Sequence, residues 1–148
     1  MFERCLYFNL NALARAINQR WDDAYQAVGL SPAHAYLLRL VLSAPGITQK
    51  QLAAELRLAP STITRFVDVL VTRGLLKRQD RQGDGREWAI HPTEATHALH
   101  DELERIGVGL FQELRSTLGD AHCTTLVRNL RQTHETLYTA NRKKRAQP

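Results

Sequence analysis

Prolines and glycines punctuate the middle of this chain so closely that few arrangements remain open to it. Pro45-Gly46, Pro60, Gly74 and the pair Gly83 and Gly85 divide residues 47–90 into short pieces. Thr48, with Gln51 three residues on, predicts a capping box opening a short helix whose apolar face is Leu52, Ala53 and Leu56. The break at Leu58-Ala59-Pro60 follows, and Pro60 suits the first turn of the next helix, where its missing N–H costs nothing. Ile63, Phe66, Val67, Leu70 and Val71 then recur at helical spacing, which leaves Ser61, Thr62, Thr64, Arg65 and Asp68 at the start and along the outer face. Gly74 predicts the stop of this second helix. Leu75–Arg78 and Glu87–Ile90 read as two short strands joined by the turn-rich loop from Gln79 to Arg86.

A helix that buries its back and shows small hydroxyls and an arginine can lie in a major groove, where such side chains reach base edges and phosphates. A hairpin tipped with arginine beside it has the form of a wing, and Arg81 or Arg86 is placed for a narrow minor groove. The charge distribution agrees with a polyanionic partner. Of the net charge of +5, residues 48–86 carry +4, residues 87–141 carry −4, and Arg142-Lys143-Lys144-Arg145 restore +4.

At 148 residues the chain suits one domain with a real core. No stretch approaches the roughly 20 apolar residues of a membrane span. The opening MFERCLYFNLNALARAINQR lacks the layout of a signal peptide, so a cytoplasmic protein with no membrane partner is expected. Cys5 and Cys123 stand far apart and give neither a disulfide framework nor zinc spacing. His91, His97, His100, His122 and His134 form no set at metal spacing, and neither a metal nor a cofactor is expected. A nucleophile with a base, a carboxylate pair in a recognisable motif and a phosphate-cradling loop are all missing, so an enzyme is not expected.

Long apolar stripes flank the central unit. Leu6, Leu10, Leu13, Ile17, Trp21, Ala24 and Val28 predict one helix over residues 3–28, stopped by Gly29. Ser31-Pro32 predicts the cap and first turn of a second helix, with Tyr36, Leu37, Leu40 and Val41 as its buried side. After Pro92-Thr93 a long helix carries Ala95, Leu99, Leu103, Ile106, Leu110, Leu114 and Leu118; Gly119-Asp120 breaks it. A last helix follows with Cys123, Leu126, Val127, Leu130, His134 and Leu137. These stripes exceed what one small winged unit can cover. A second copy of the chain, with terminal helices interleaved in an obligate homodimer, is the economical solution. Two such units would meet a palindrome whose half-sites lie about one helical turn apart.

The order of elements, the string Ser61-Thr62-Ile63-Thr64-Arg65 with Leu70 and Gly74-Leu75, the Asp84-x-Arg86 motif and the Thr93 helix start resemble the MarR family of winged-helix regulators. The resemblance runs end to end. It implies a mainly α fold with a small β-wing, a single MarR-like domain over residues 1–148. Residues 31–90 would be its winged helix-turn-helix DNA-binding lobe, 3–28 and 93–141 its dimerisation helices, and 142–148 a basic tail. It implies a sequence-specific regulator of double-stranded DNA, a homodimeric repressor released by a small aromatic or phenolic effector. By position, Asp84 would orient Arg86 into the minor groove. The DNA-binding set would comprise Thr48, Gln49, Lys50, Ser61, Thr62, Thr64, Arg65, Arg73, Arg81, Asp84 and Arg86. Two departures stand out: Ala59 occupies the N-cap, at a cost of about 1 kcal/mol, and Trp88 on the return strand is bulky for its place. Trp88 has two places open to it, against the recognition helix or at the duplex surface.

The signal that such a protein would sense is less legible. Trp21, Tyr25, His34, Tyr36 and Arg39 cluster where the first two helices meet and suit an aromatic carboxylate, while the plain alternative makes Trp21 and Tyr36 core and His34 surface. In the peroxide-sensing branch of the family a cysteine near the start of the first helix is the sensor. Cys5, in Cys5-Leu6-Tyr7-Phe8, is the corresponding candidate. Registered on Ser31-Pro32 it stands one residue out of phase, and the sensor's tyrosine partners fall on Arg20 and Ser31. A packed or idle thiol is the alternative for Cys5, as for Cys123 on its apolar stripe. A winged-helix protein–protein adaptor without sequence-specific DNA binding is the competing function. Such a protein would show apolar or acidic groups where this chain has Ser61, Thr64 and Arg65.

Overall fold

Helix boundaries in this protein fall where local capping chemistry puts them. A computed structural model describes residues 1–80 and 88–145, the side chains of Arg142, Lys144 and Arg145 excepted. The elements run α1 (Leu6–Gln26), α2 (Pro32–Ser43), β1 (Ile47–Thr48), α3 (Gln49–Leu56), α4 (Pro60–Thr72), β2 (Leu76–Asp80), β3 (Trp88–Pro92), α5 (Glu94–Leu118) and α6 (Asp120–Arg145). They form two compact units, Met1–Gly107 and Val108–Pro148.

In the first unit the Ser31 hydroxyl accepts the His34 backbone N–H at 3.3 Å and Pro32 fills the first turn of α2. At α3 the capping box is complete: Thr48 Oγ1 accepts from Gln51 N at 3.2 Å and Gln51 Oε1 accepts from Thr48 N at 2.9 Å. α4 has Pro60 in its first turn and, with alanine at the N-cap, no side-chain cap. It closes on Gly74, whose φ of 72° suits a residue without Cβ; Leu75 N then bonds Leu70 O at 2.9 Å. α3 ends instead on Arg57 at φ 54°, a left-handed position with no glycine to announce it.

The sheet has three strands in the order β1-β3-β2, all antiparallel, with Ile47 opposite Ile90, Leu76 opposite Pro92 and Asp80 opposite Trp88. The expected hairpin strands are each shifted toward the C-terminus. The third strand, β1, was not anticipated, because two residues are too few to show an alternating pattern. Ile90 is fully buried, as are Leu37, Leu38, Val41, Leu52, Ile63, Val67 and Leu70. Each such side chain contributes about 1.5–3 kcal/mol by leaving water. This core clamps α3 and α4 onto α2 and the sheet. The α2 face differs from expectation: Ala35 and Leu38 are buried, Leu40 is half-buried, and Tyr36 is 40 % exposed. Six apolar side chains crowd Tyr36 to Leu42, so periodicity could not settle which way the helix turns.

α5 begins one residue after Thr93, which ties it to the end of α4: Thr93 Oγ1 donates to Gly74 O at 2.7 Å, and the fully buried Thr96 hydroxyl donates to Leu75 O. In the second unit, Gly119 at φ 81° turns the chain into α6, and Arg115 Nε donates to Asp120 Oδ1 at 2.6 Å across the turn. Leu110 and Cys123 are buried, whereas Phe111, Leu118, Val127, Leu130, Leu137 and Tyr138 are exposed. α6 continues as helix through the basic run to Arg145. In the first unit the stripe of α1 is equally bare: Leu6, Leu10 and Leu13 are exposed, as are Phe2, Tyr7 and Phe8 beside them. Among the described residues no helix is long and apolar enough to cross a membrane.

Candidate nucleic-acid interface

α4 buries Ile63, Val67 and Leu70, three and four residues apart, and this phase turns Ser61, Thr64, Arg65 and Asp68 outward. Thr62 is half-buried. The start of α3 comes to the same surface. Gln49, its first residue, meets Thr64, whose Oγ1 lies 3.0 Å from Gln49 Oε1 and 3.1 Å from Pro60 O. Lys50 is exposed beside it, and Arg73, also exposed, caps the far end of α4.

Thr48 is corrected by its environment. Only 2 % of it is exposed and its hydroxyl oxygen serves the cap, so it holds α3 in place and has no surface to offer a partner. Asp68 is also engaged within the fold, since it accepts from Arg78 Nη2 on β2 and so braces the hairpin against α4. Neither the Asp68–Arg78 pair nor the Gln49–Thr64 contact was signalled by the sequence, since each joins elements through the tertiary fold. Arg81, Asp84 and Arg86 lie outside the described residues. Trp88, at the near edge of the wing, is 47 % exposed.

The five residues grouped as a ligand-binding set are partly brought together. Trp21 Nε1 donates to Tyr36 Oη at 3.1 Å, the Tyr25 and Tyr36 rings meet edge-on with centroids 6.2 Å apart, and Arg39 Cζ stands 5.6 Å from the centre of the Tyr36 ring. Tyr25 is fully buried; its hydroxyl lies beside the Arg39 guanidinium yet makes no hydrogen bond of ordinary geometry among the described residues. Burial pushes its pKa up. Arg39 is already engaged: Nε and Nη2 donate to the two carboxylate oxygens of Glu104 on α5 at 2.8 and 2.9 Å. These bonds hold Glu104 below the usual carboxylate range. The guanidinium expected to receive a carboxylate effector thus has an internal carboxylate instead. A groove of about 380 Å³ opens beside it, lined by Tyr36, Arg39, Leu40, Ser43, Glu55, Leu56 and Glu104.

His34 faces elsewhere. Its ring meets Phe66 of α4 edge-on at 4.8 Å, Nδ1 lies 3.0 Å from the Ser31 hydroxyl, and Nε2 is buried without a partner among the described residues. Burial, with Arg73 nearby, lowers its pKa. Cys5 is exposed at the start of α1, and Cys123 is buried. No group of three His, Cys, Asp or Glu side chains suited to a metal occurs among the described residues.

Comparison with known proteins adds what geometry alone cannot. The family model described as MarR family matches residues 28–87, from the end of α1 to the near edge of β3. That segment, fewer than half of the residues, is what this chain shares in sequence with the MarR family. The fold of the chain is that of solved MarR structures. The transcriptional repressor CouR bound to a 23-mer DNA duplex superposes with a TM-score of 0.82 at 21% identity, covering 90% of this chain and 94% of that one. A mutant MarR from E. coli complexed with operator DNA gives 0.78 at 20% identity, covering 90% and 97%. In sequence, the HTH-type transcriptional regulator YhbI of Bacillus subtilis (strain 168), itself uncharacterized, is 34% identical over 84 residues, 53% of this chain and 54% of that one. The matches span 60% and 54% of the length of the curated relatives found.

Proposed function

We propose that this chain is a MarR-type regulator: a sequence-specific double-stranded DNA-binding transcriptional regulator, a homodimeric repressor released by a small aromatic or phenolic effector. One observation carries the reading: α4 stands on a fully capped α3 with Ser61, Thr64 and Arg65 turned to solvent. Residues 31–90 form the DNA-binding lobe, with Gln49, Lys50, Ser61, Thr62, Thr64, Arg65 and Arg73 at the duplex and Arg81, Asp84 and Arg86 on the wing. CouR and the mutant E. coli MarR, which share the fold, are both known with DNA bound.

Residues 3–28 and 93–141 supply the dimer interface, and the bare apolar side chains of α1 and α6 support this. Residues 142–148 add non-specific attraction for phosphate. The groove beside Tyr36 and Arg39 is the place for the effector.

Fluorescence anisotropy on the chain's own upstream DNA tests the reading. Arg86→Ala should weaken binding by roughly 1–3 kcal/mol while sedimentation still reports a dimer. Affinity should fall steeply with salt, because phosphate contacts release counterions. An Arg65→Ala, Arg86→Ala double variant that binds as tightly as the parent removes the assignment.

A further inference from the structure

We propose that Gln49 and Thr64 act as one specificity-determining pair, which reads a base of each half-site as a hydrogen-bond acceptor. The inference rests on the DNA-binding reading above and goes beyond it in naming the base edge. A free glutamine amide offers one donor and one acceptor side by side, the arrangement that matches adenine N6 and N7. Gln49 is not free in that sense. Its backbone is set by the Thr48–Gln51 capping box at the start of α3, and its side-chain oxygen lies 3.0 Å from Thr64 Oγ1 on α4.

The Thr64 hydroxyl has a single hydrogen and stands between two acceptors, Gln49 Oε1 and, at 3.1 Å, the Pro60 carbonyl. The contact to Gln49 is the shorter of the two, and we assign the hydrogen to it. The carbonyl end of the amide is thereby engaged by α4, and the NH₂ end of this half-buried residue takes no part in that contact. What this pair presents is two N–H donors on a tethered arm.

In the major groove, guanine offers N7 and O6 as acceptors, thymine offers O4, adenine offers N7 beside a donor, and cytosine offers only its N4 donor. A donor-only probe therefore favours guanine most and cytosine least. The tether matters as much as the polarity: without Thr64 the amide can rotate and recover the adenine match.

The experiment selects bound duplexes from a randomised pool with the full-length protein, then measures each single-base variant of the selected site by competition anisotropy. For the parent, one position in each half-site should prefer guanine over cytosine by about tenfold. Gln49→Glu, which replaces the donors with acceptors at the same size, should reverse that preference toward cytosine at that position alone. Thr64→Val, which keeps the shape and removes the hydroxyl, should raise adenine to the level of guanine there and leave the salt dependence unchanged. Thr64→Ser should retain the parent profile. Circular dichroism and thermal unfolding of each variant establish that it is folded. If Gln49→Glu and Thr64→Val both keep the parent profile at every position, or the Gln49-dependent position of the parent prefers cytosine, the proposed pair is wrong while the regulator reading stands. If the parent binds no duplex at low salt, or binds all equally, the regulator reading falls and this inference with it.

Discussion

Replacing Gly107 with alanine sets two effects of opposite sign against each other. Gly107 lies within α5, where alanine in place of glycine stabilises a helix by about 1 kcal/mol. The new Cβ, however, would come within 2.9 Å of Arg39 Cζ and closer still to Nη1, so the guanidinium must leave its seat. Leaving it breaks the two-bond contact with Glu104 and draws Arg39 away from the Tyr36 ring. Arg39 and Glu104 side chains are 24 % and 43 % exposed, so solvent screening keeps the pair's worth to about 1 kcal/mol. Gly107→Ala in the parent should therefore be nearly neutral. In an Arg39→Met background, which keeps an apolar stem and removes the fork, the same substitution should stabilise by about 1 kcal/mol. The coupling between the two sites is then about 1 kcal/mol, measurable by urea denaturation of the four proteins at one protomer concentration. Equal stabilisation in both backgrounds, within about 0.3 kcal/mol, would refute the argument that Gly107 exists to seat Arg39.

Three further expectations follow from buried polar groups. The pKa of His34 is held below 6.5, so its contribution is intact above that pH; on acidification the unfolded chain takes up a proton first, and stability is lost as pH falls through the native value. His34→Gln should flatten this part of the pH–stability curve, and an unchanged slope counts against burial of the neutral ring. Tyr25→Phe removes a hydroxyl that has no good partner and should leave stability unchanged or raise it by up to about 1 kcal/mol; a loss of that size would mean the hydroxyl is bonded. Thr96→Val deletes the buried hydrogen bond to Leu75 O and should cost about 1 kcal/mol in chemical denaturation; an unchanged stability would mean that the bonds from Thr93 already satisfy that carbonyl.

Local chemistry was legible in the residues. Ser31-Pro32, the Thr48–Gln51 box, Pro60 and Gly74 act within a few positions of themselves, so each start and stop they announce is found within a residue or two. The outward face of α4 was legible for the same reason: Ile63, Val67 and Leu70 are spaced cleanly enough to leave one phase. Where apolar residues were too many, in α2, or too few, in β1, periodicity had nothing to discriminate, and the faces of Tyr36 and Leu38 were exchanged.

The sequence by itself determined the helices and the two hairpin strands of the winged unit and the surplus of apolar surface on the terminal helices, because all follow from short-range spacing. Only the tertiary structure decided which polar groups are spoken for. Arg39 looked free until Glu104, 65 residues away, came to meet it, and Asp68 looked solvent-facing until Arg78 crossed from β2. Thr64 and Gln49 are likewise strangers in the chain and partners in the fold. Hydrogen bonds form between atoms that packing brings within about 3 Å, and a one-dimensional pattern carries no record of that distance.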